Sequence, residues 1–183
     1  MKLQKLYRYV RQAADEYNLI EDGDKIAVAL SGGKDSITLL KALKSLQHFY
    51  PKKFDLIAIS VNPDFEFFDA DFLKRTCEEV GVPLFVEEYN ISKIVFEDRK
   101  EKNPCSLCAN LRRGILNTAA KREGCNKIAL GHNLDDVLET FLMNLFFAGN
   151  ISTFSPVSFM DRSGITLIRP LIYVPEKETK RFV

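Results

Sequence analysis

The sequence contains no apolar stretch of membrane-spanning length, and its opening, MKLQKLYRYV, lacks the apolar core of a signal peptide. It also lacks an excess of either charge, because 26 basic residues face 25 acidic ones. We therefore expect a cytoplasmic protein with no membrane partner, in which any contact with nucleic acid is a local patch. Cysteine is scarce, with four residues. In a reducing compartment these cysteines are not expected to form a disulfide framework, which leaves packing, metal binding or redox chemistry as their roles.

The length and composition fit one domain. The 183 residues, 46% of them hydrophobic, are enough for a single core, and we predict one domain over residues 1–183. Apolar residues recur three and four positions apart near the start, which predicts a helix within residues 1–20 packed on that domain. The last residues, PEKETKRFV, begin another amphipathic helix without a terminator, so we expect a chain that is cut short.

Short apolar runs alternate with helical periodicity along the chain. We predict strands in KIAVAL (25–30), DLIAISV (55–61) and KIALG (127–131), with PLFVEE (83–88) as a weaker fourth. The helices are expected at Lys34–Phe49, Ala70–Val80, Cys105–Arg122 and Leu134–Phe147. This order predicts an α/β fold with a doubly wound parallel sheet, in which ligands bind beyond the carboxyl ends of the strands. The residues just after Leu30, Val61 and Gly131 therefore have positional priority, and Val61 is itself a candidate nucleotide-binding residue.

The first strand runs directly into a glycine turn and then a helix, an arrangement typical of an anion site. Two glycines let successive N–H groups point at an anion, while a lysine and two hydroxyls complete the cradle. In the alternative interpretation, the glycines only form a turn that binds no anion, and Asp35 or Ser36 caps the helix. An acid inside a phosphate loop favours a divalent cation, which makes Asp35 a candidate magnesium ligand. The candidate phosphate-binding residues are Ser31, Gly32, Gly33, Lys34, Asp35 and Ser36.

A second motif, GHNLDDVLET (131–140), follows the strand KIAL and opens a helix. It is therefore expected on the same rim as the turn, with Gly131 and His132 near the nucleotide and Asp136 favoured as a second magnesium ligand. In the alternative interpretation, Asn133 caps the helix and the acids only stabilise its dipole. His132 could bind nucleotide, transfer a proton or pack, and the sequence does not rank these roles.

Cys105 and Cys108 lie three residues apart at the start of a predicted helix, so both sulfurs share one face. A helix N-terminus lowers a thiol pKa, which suits this pair to thiolate chemistry or metal binding, although a packed pair remains the alternative. Zinc is a rival occupant, but only two ligands are evident. Arg112 and Arg113 follow one turn later and are the preferred RNA contacts, against the alternative of a solvated helix face.

The string SGGKDS resembles the PP-loop of ATP pyrophosphatases, of the adenine nucleotide alpha hydrolase-like fold, which cleave ATP between the α and β phosphates. GHNLDDVLETF resembles the GHxxDDxxET element of the PP-loop enzymes that modify tRNA. PCSLCANLRRGIL closely resembles a segment of tRNA 2-thiocytidine synthetases, and the resemblance continues to IRPLIYVPEKE. We therefore identify the chain as resembling that family over most of its length.

The resemblance implies an ATP- and Mg²⁺-dependent enzyme that adenylates a tRNA base, expected to be an anticodon-loop cytidine, for thiolation. It implies tRNA and a sulfur donor protein as partners, with Asp35, Asp136, Cys105 and Cys108 as catalytic residues. The family's iron–sulfur cluster needs a third cysteine downstream of PEKE, which this sequence does not reach. Alternatives are another adenylating ligase, such as a lysidine or 2-thiouridine synthetase, and a non-catalytic ATP-binding module. A homodimer is compatible with the sequence.

Overall fold

The computed structural model describes residues 2–62, 68–89 and 104–182, and its elements alternate between helix and strand along most of the chain. We number them α1 (Lys2–Glu16), β1 (Asp24–Ala29), α2 (Lys34–Phe49), β2 (Phe54–Asn62), α3 (Ala70–Val80), β3 (Leu84–Glu88), α4 (Pro104–Arg122), β4 (Lys127–Ala129), α5 (Leu134–Met143), β5 (Val157–Met160), β6 (Ile165–Ile168) and α6 (Glu176–Thr179). A π-helical turn, Asn144–Ala148, follows α5. Among the described residues, no helix has the length and apolarity that crossing a bilayer requires.

The six strands form one sheet in the order β3-β2-β1-β4-β6-β5. Every pairing is parallel except the last, in which β5 runs antiparallel to β6. The chain leaves β1 in one direction, through β2 to β3, and returns to place β4 on the other side of β1. The order therefore reverses between β1 and β4, and in open parallel sheets such a switch point opens a crevice for ligands at the carboxyl ends of the strands.

Helices cover both faces of this sheet, which confirms the predicted doubly wound α/β class. On one face, α1, α2 and α3 pack on Ile26 and Val28 of β1 to form the larger core. On the other face, Ala119 and Ala120 of α4 pack on Ala27 of the same strand. Alternate residues of one strand thus enter two different cores, as the two-residue period of a strand requires.

The predicted strands and helices correspond closely to the structure, with two differences. The helix expected at Leu134–Phe147 ends as an α-helix at Met143, and the left-handed Gly149, with φ of 61°, closes the π-helical turn that follows it. The hairpin of β5 and β6 was not predicted, because strands of four residues carry too little periodicity to be recognised. The hairpin borders the site, because β6 lies beside β4 and extends the sheet next to the crevice.

The opposite, amino-terminal edge of the sheet contains a buried ion pair. Lys127, at the start of β4, places Nζ 2.8 Å from Oδ2 of Asp24, at the start of β1, and also donates to the carbonyl oxygen of Leu19. Asp24 is only 3% exposed. Burial raises the pKa of Asp24, but hydrogen bonds from Glu21 N, Lys127 and Asn126 outweigh it and leave the pKa lowered. The pair therefore fixes the start of the two strands that flank the crevice.

We predict that Lys127→Met destabilises the protein by about 3 kcal/mol, because the buried carboxylate of Asp24 loses its charged partner. Urea unfolding at neutral pH measures this loss. Lys121→Met is the matched control, since Lys121 is exposed on α4, and it should leave the free energy of unfolding almost unchanged. Equal unfolding midpoints for the two variants would contradict the importance of the pair.

Candidate functional site

The turn between β1 and α2, residues 31–36, forms a compact loop held by its own hydroxyl groups. Gly32 has φ of 84°, a conformation that favours glycine. Oγ of Ser36 accepts from Ser31 N at 3.2 Å and donates to the carbonyl oxygen of Gly33 at 2.8 Å. Gly33 is the N-cap of α2 and has no side-chain cap. The loop therefore leaves the start of a 16-residue helix facing the crevice, where its partial positive charge favours an anion.

The second motif lies against this loop. A Cβ atom built on Gly131 would lie 3.2 Å from the carbonyl carbon of Asp35 and 3.2 Å from the nitrogen of Ser36. These are backbone atoms at the start of α2, so they cannot move aside as a flexible side chain would. Gly131 therefore lets the chain after β4 approach the phosphate loop closely, and the two motifs meet at the rim as the sequence predicted.

Two compartments open at this junction. The first, which we call the phosphate compartment, has a volume of about 280 Å³ and is lined by the loop residues Ser31, Gly33, Asp35 and Ser36 together with Gly131 and His132. The second, the inner compartment, has about 340 Å³ and lies between the sheet and α4. Both are lined by Ala29, Ser31, Leu130 and His132, so they adjoin at the ends of β1 and β4. Val61, at the end of β2, lines the inner compartment.

The charged residues of the loop are engaged by the short helix α6. Nζ of Lys34 lies 2.9 Å from Oδ2 of Asp35 and 2.9 Å from Oε1 of Glu176. Oδ1 of Asp35 accepts a hydrogen bond from Oγ1 of Thr179 at 2.5 Å. Hydrogen bonds to Glu176 and then to Asp35 raise the pKa of Lys34. Sequence reasoning did not single out Glu176 or Thr179, although both lie in the stretch that begins at PEKE.

In the second motif, the capping interpretation holds for two residues. Oδ1 of Asn133 accepts from the backbone N–H groups of Asp135 and Asp136, and Oδ2 of Asp136 accepts from Asn133 N at 2.7 Å. Asp135 faces the other way, where its Oδ2 accepts from Glu176 N at 2.6 Å. Both carboxylates therefore form hydrogen bonds that hold the local backbone, and a catalytic role for Asp136 stays a prediction. Within residues 2–62, 68–89 and 104–182, no cluster of three or more metal-binding side chains is present.

His132 lies where the two compartments adjoin. Its ring packs against Phe154, with the centroids 5.0 Å apart, and its Nδ1 is buried without a hydrogen-bond partner among the described residues. Burial lowers the pKa of His132, and the positive charges of Arg169 and Arg113 lower it further, whereas Asp136 opposes them. These effects favour the neutral form of the His132 imidazole. Sequence reasoning missed Phe154 and Arg169, which belong to the unpredicted hairpin region.

The helix α4 brings the cysteine motif to the same edge of the sheet. Cys108 is half-buried in a small apolar cluster around Val61. Cys105 lies in the first turn of α4, but its side chain is outside the described residues. Cys77 and Cys125 are buried in the two main cores, and burial raises the pKa of each thiol to about 11. Those two cysteines are therefore poor thiolates near neutral pH.

Arg112 and Arg113 also line the inner compartment. Arg112 is half-buried and Arg113 is exposed at its mouth. Neither arginine forms an ion pair with a carboxylate of the described residues. Two unneutralised guanidinium groups at the opening of a cavity favour an anionic ligand, such as a phosphodiester or a nucleotide.

A glycine loop at a helix start, opposite a GHNLDD motif at the switch point of a parallel sheet, defines a nucleotide-binding domain of the PP-loop class. A family model described as a PP-loop domain, ATP_bind_3, matches residues 3–183. The tRNA-cytidine(32) 2-sulfurtransferase of Geobacter metallireducens is 43% identical over 97% of this chain and 69% of its own length. The enzyme of that name from Paracidovorax citrulli is 44% identical over 99% of this chain and 59% of its own.

The chain belongs to the PP-loop family of ATP-binding enzymes, among the tRNA 2-thiocytidine synthetases. It spans about two thirds of the length of the first of these relatives. Among solved structures, the U34-tRNA thiolase NcsA from Methanococcus maripaludis, determined with its 4Fe-4S cluster, matches with a TM-score of 0.78 and 30% identity over 98% of this chain and 61% of that one. An NH3-dependent NAD synthetase from Campylobacter jejuni, at 15% identity and a TM-score of 0.60, shares the fold.

We predict that Gly131→Ala weakens ATP binding by about tenfold, because a methyl group 3.2 Å from the backbone of Asp35 and Ser36 has to displace the phosphate loop. Calorimetry with ATP and Mg²⁺ measures the affinity. Gly114→Ala is the matched control: a Cβ atom there meets nothing within 4 Å, and alanine favours the interior of α4. Unchanged affinity in Gly131→Ala would show that the loop tolerates displacement.

Proposed function

We propose that this chain activates a tRNA base, expected to be an anticodon-loop cytidine, by transferring AMP to it from ATP, so that sulfur can replace the base oxygen. The observation that carries this proposal is the shared rim, where the phosphate loop, the GHNLDD motif and the cysteine helix surround two adjoining compartments. The names of the relatives support the choice of tRNA and of thiolation. In the proposed reaction, the carbonyl oxygen of the base attacks the α-phosphorus and pyrophosphate leaves.

The triphosphate would bind at the phosphate compartment. Its anionic oxygens would meet the N-terminus of α2 and the hydroxyls of Ser31 and Ser36, while the nucleoside would extend into the inner compartment beside Val61. Mg²⁺ is commonly held by one or two carboxylates together with phosphate oxygens, and Asp35 and Asp136 are the carboxylates we assign to it. Bound there, the ion would neutralise charge that develops on the departing pyrophosphate. Lys34, which holds two carboxylates in the free protein, keeps a third N–H for a phosphate oxygen.

Cys105 and Cys108 would provide the sulfur chemistry. A donor protein would leave a sulfur atom as a persulfide on one of these cysteines, and its outer sulfur would attack the activated carbon, so that AMP leaves with the former base oxygen. The thiolate of the other cysteine would then break the S–S bond, which leaves the sulfur on the base and a Cys105–Cys108 disulfide that a thiol reductant would reduce. Arg112 and Arg113 would bind the phosphodiester backbone at the mouth of the inner compartment. Two thiolates do not complete the ligand set of a 4Fe-4S cluster, so the described residues do not fit that group and no step here is assigned to it.

The test is an assay of the purified protein with ATP, Mg²⁺, unmodified tRNA, a persulfide donor and a thiol reductant. We expect release of AMP and pyrophosphate that depends on the tRNA, because the reaction cleaves between the α and β phosphates. ADP as the product would refute adenylation, and bound but unchanged ATP would indicate a non-catalytic module. Transfer of AMP to an acceptor other than tRNA would indicate another adenylating ligase.

We predict that Cys108→Ser and Cys105→Ser each reduce sulfur incorporation into tRNA at least about a hundredfold, while the release of pyrophosphate in a single turnover falls less than about threefold, since the cysteines act after adenylation and before AMP leaves. Thiolated nucleosides are quantified by mass spectrometry in the presence of a persulfide donor and a thiol reductant. Ser106→Ala is the matched control, because Ser106 is exposed on the same turn of α4. Full thiolation by both cysteine variants would remove the cysteines from the mechanism.

A further inference from the structure

Arg169, the residue after β6, is buried without a counter-ion. Its side chain is 8% exposed, and no carboxylate of the described residues forms an ion pair with it. Nη1 donates to the carbonyl oxygen of Ser155 at 2.5 Å and to Oγ of Ser158 at 3.2 Å, whereas Nε has no partner among the described residues. Burying an unpaired charge destabilises a fold, so a position that retains one needs another reason.

The ring of Phe154 links Arg169 to His132, at the junction of the two compartments. The guanidinium carbon lies 5.0 Å from the centroid of the Phe154 ring, a cation–π distance. The centroid of that ring lies 5.0 Å from the centroid of the His132 imidazole, at an interplanar angle of 39°. Arg169, Phe154 and His132 therefore form a continuous stack from the hairpin to the junction of the two compartments.

We propose that Arg169 is a positioning residue for His132, acting through the ring of Phe154 to hold the imidazole at the junction of the phosphate and inner compartments. The inference rests on the proposed function, because it gives His132 a part in adenylation. A neutral imidazole held there offers a nitrogen that can accept a hydrogen bond from an N–H group of the base. A mobile imidazole would meet the reacting atoms less often, and the adenylation rate would fall.

Charges from every neighbouring element surround the imidazole. Arg169 follows β6, Arg113 lies on α4, Asp136 on α5, and Asp35 of the phosphate loop lines the same compartment as His132. The two arginines and burial lower the pKa of His132, and Asp136 acts against them. Removal of Arg169 therefore raises the pKa of His132, so that a larger fraction of the imidazole is protonated, and unable to accept a hydrogen bond, as the pH falls.

The first experiment follows the imidazole itself, by NMR titration of the whole chain without ATP or tRNA. Arg169→Gln is expected to move the titration of His132 to higher pH, and Arg162→Gln, at an exposed arginine of the same hairpin, is expected to leave it in place. The other histidine of the chain, exposed His48, is the internal reference. A His132 titration that is the same in wild type and Arg169→Gln overturns the proposal, whether or not the protein adenylates tRNA.

The second experiment is a double-mutant cycle on the release of pyrophosphate, the product of adenylation. Arg169→Gln and Phe154→Leu are each expected to lower kcat about tenfold, with little change in KM for ATP, and the double variant is expected to be no slower than either. The acidic limb of the pH profile should move to higher pH in Arg169→Gln and stay in place in Arg162→Gln. Losses that multiply in the double variant would overturn action through Phe154. If wild type releases no pyrophosphate, the proposed function fails, and the NMR titration still shows whether Arg169 acts on the imidazole of His132.

Discussion

The site depends on the close approach of two backbone segments, the chain after β4 at Gly131 and the start of α2 at Asp35 and Ser36. With a Cβ position only 3.2 Å from two backbone atoms, any side chain at residue 131 would require the backbone at the start of α2 to shift. Because β1 and β4 are neighbours in the sheet, the loop after each strand ends at the same rim, and Gly131 lets the two loops touch. The compartments, the placement of His132 and the adjacency of the acidic motif all follow from that contact.

Charge at this rim is distributed unevenly. On the α6 side, Lys34 is neutralised by Asp35 and Glu176, and Asp135 accepts from the first backbone N–H of α6. On the α4 and hairpin side, Arg112, Arg113 and Arg169 have no carboxylate partner among the described residues. The rim therefore has net positive charge on one side and a closed network of ion pairs on the other. This asymmetry favours an anionic group on the α4 side, where Cys108 also lies.

The sequence was sufficient to predict the doubly wound fold and the meeting of the two motifs, because both follow from strand order and from glycines at strand ends. It was insufficient to predict the hairpin, since strands of four residues are too short to show a recognisable hydrophobic alternation. Arg169 and Phe154, which lie in that region, were therefore not predicted either. The engagement of Lys34 and Asp35 by Glu176 and Thr179 was also beyond reach, because it joins residues more than 140 positions apart. Local patterns identify a loop that binds phosphate, but they do not show which distant side chains hold its charges.

In the part of the chain that the structure describes, buried polar groups have partners within the protein at the amino-terminal edge of the sheet and lack them at the carboxyl-terminal edge. At the amino-terminal edge, the ammonium of Lys127 meets Asp24 and the carbonyl oxygen of Leu19, so the buried charge is satisfied within the protein. At the carboxyl-terminal edge, Nδ1 of His132 and Oδ1 of Asn117, two residues that line the inner compartment, are buried without partners among the described residues. Unsatisfied polar groups cost stability, and a ligand that supplies their partners recovers that cost on binding. The buried polar groups thus stabilise the fold at the amino-terminal edge, whereas those at the carboxyl-terminal edge are available to bind a ligand.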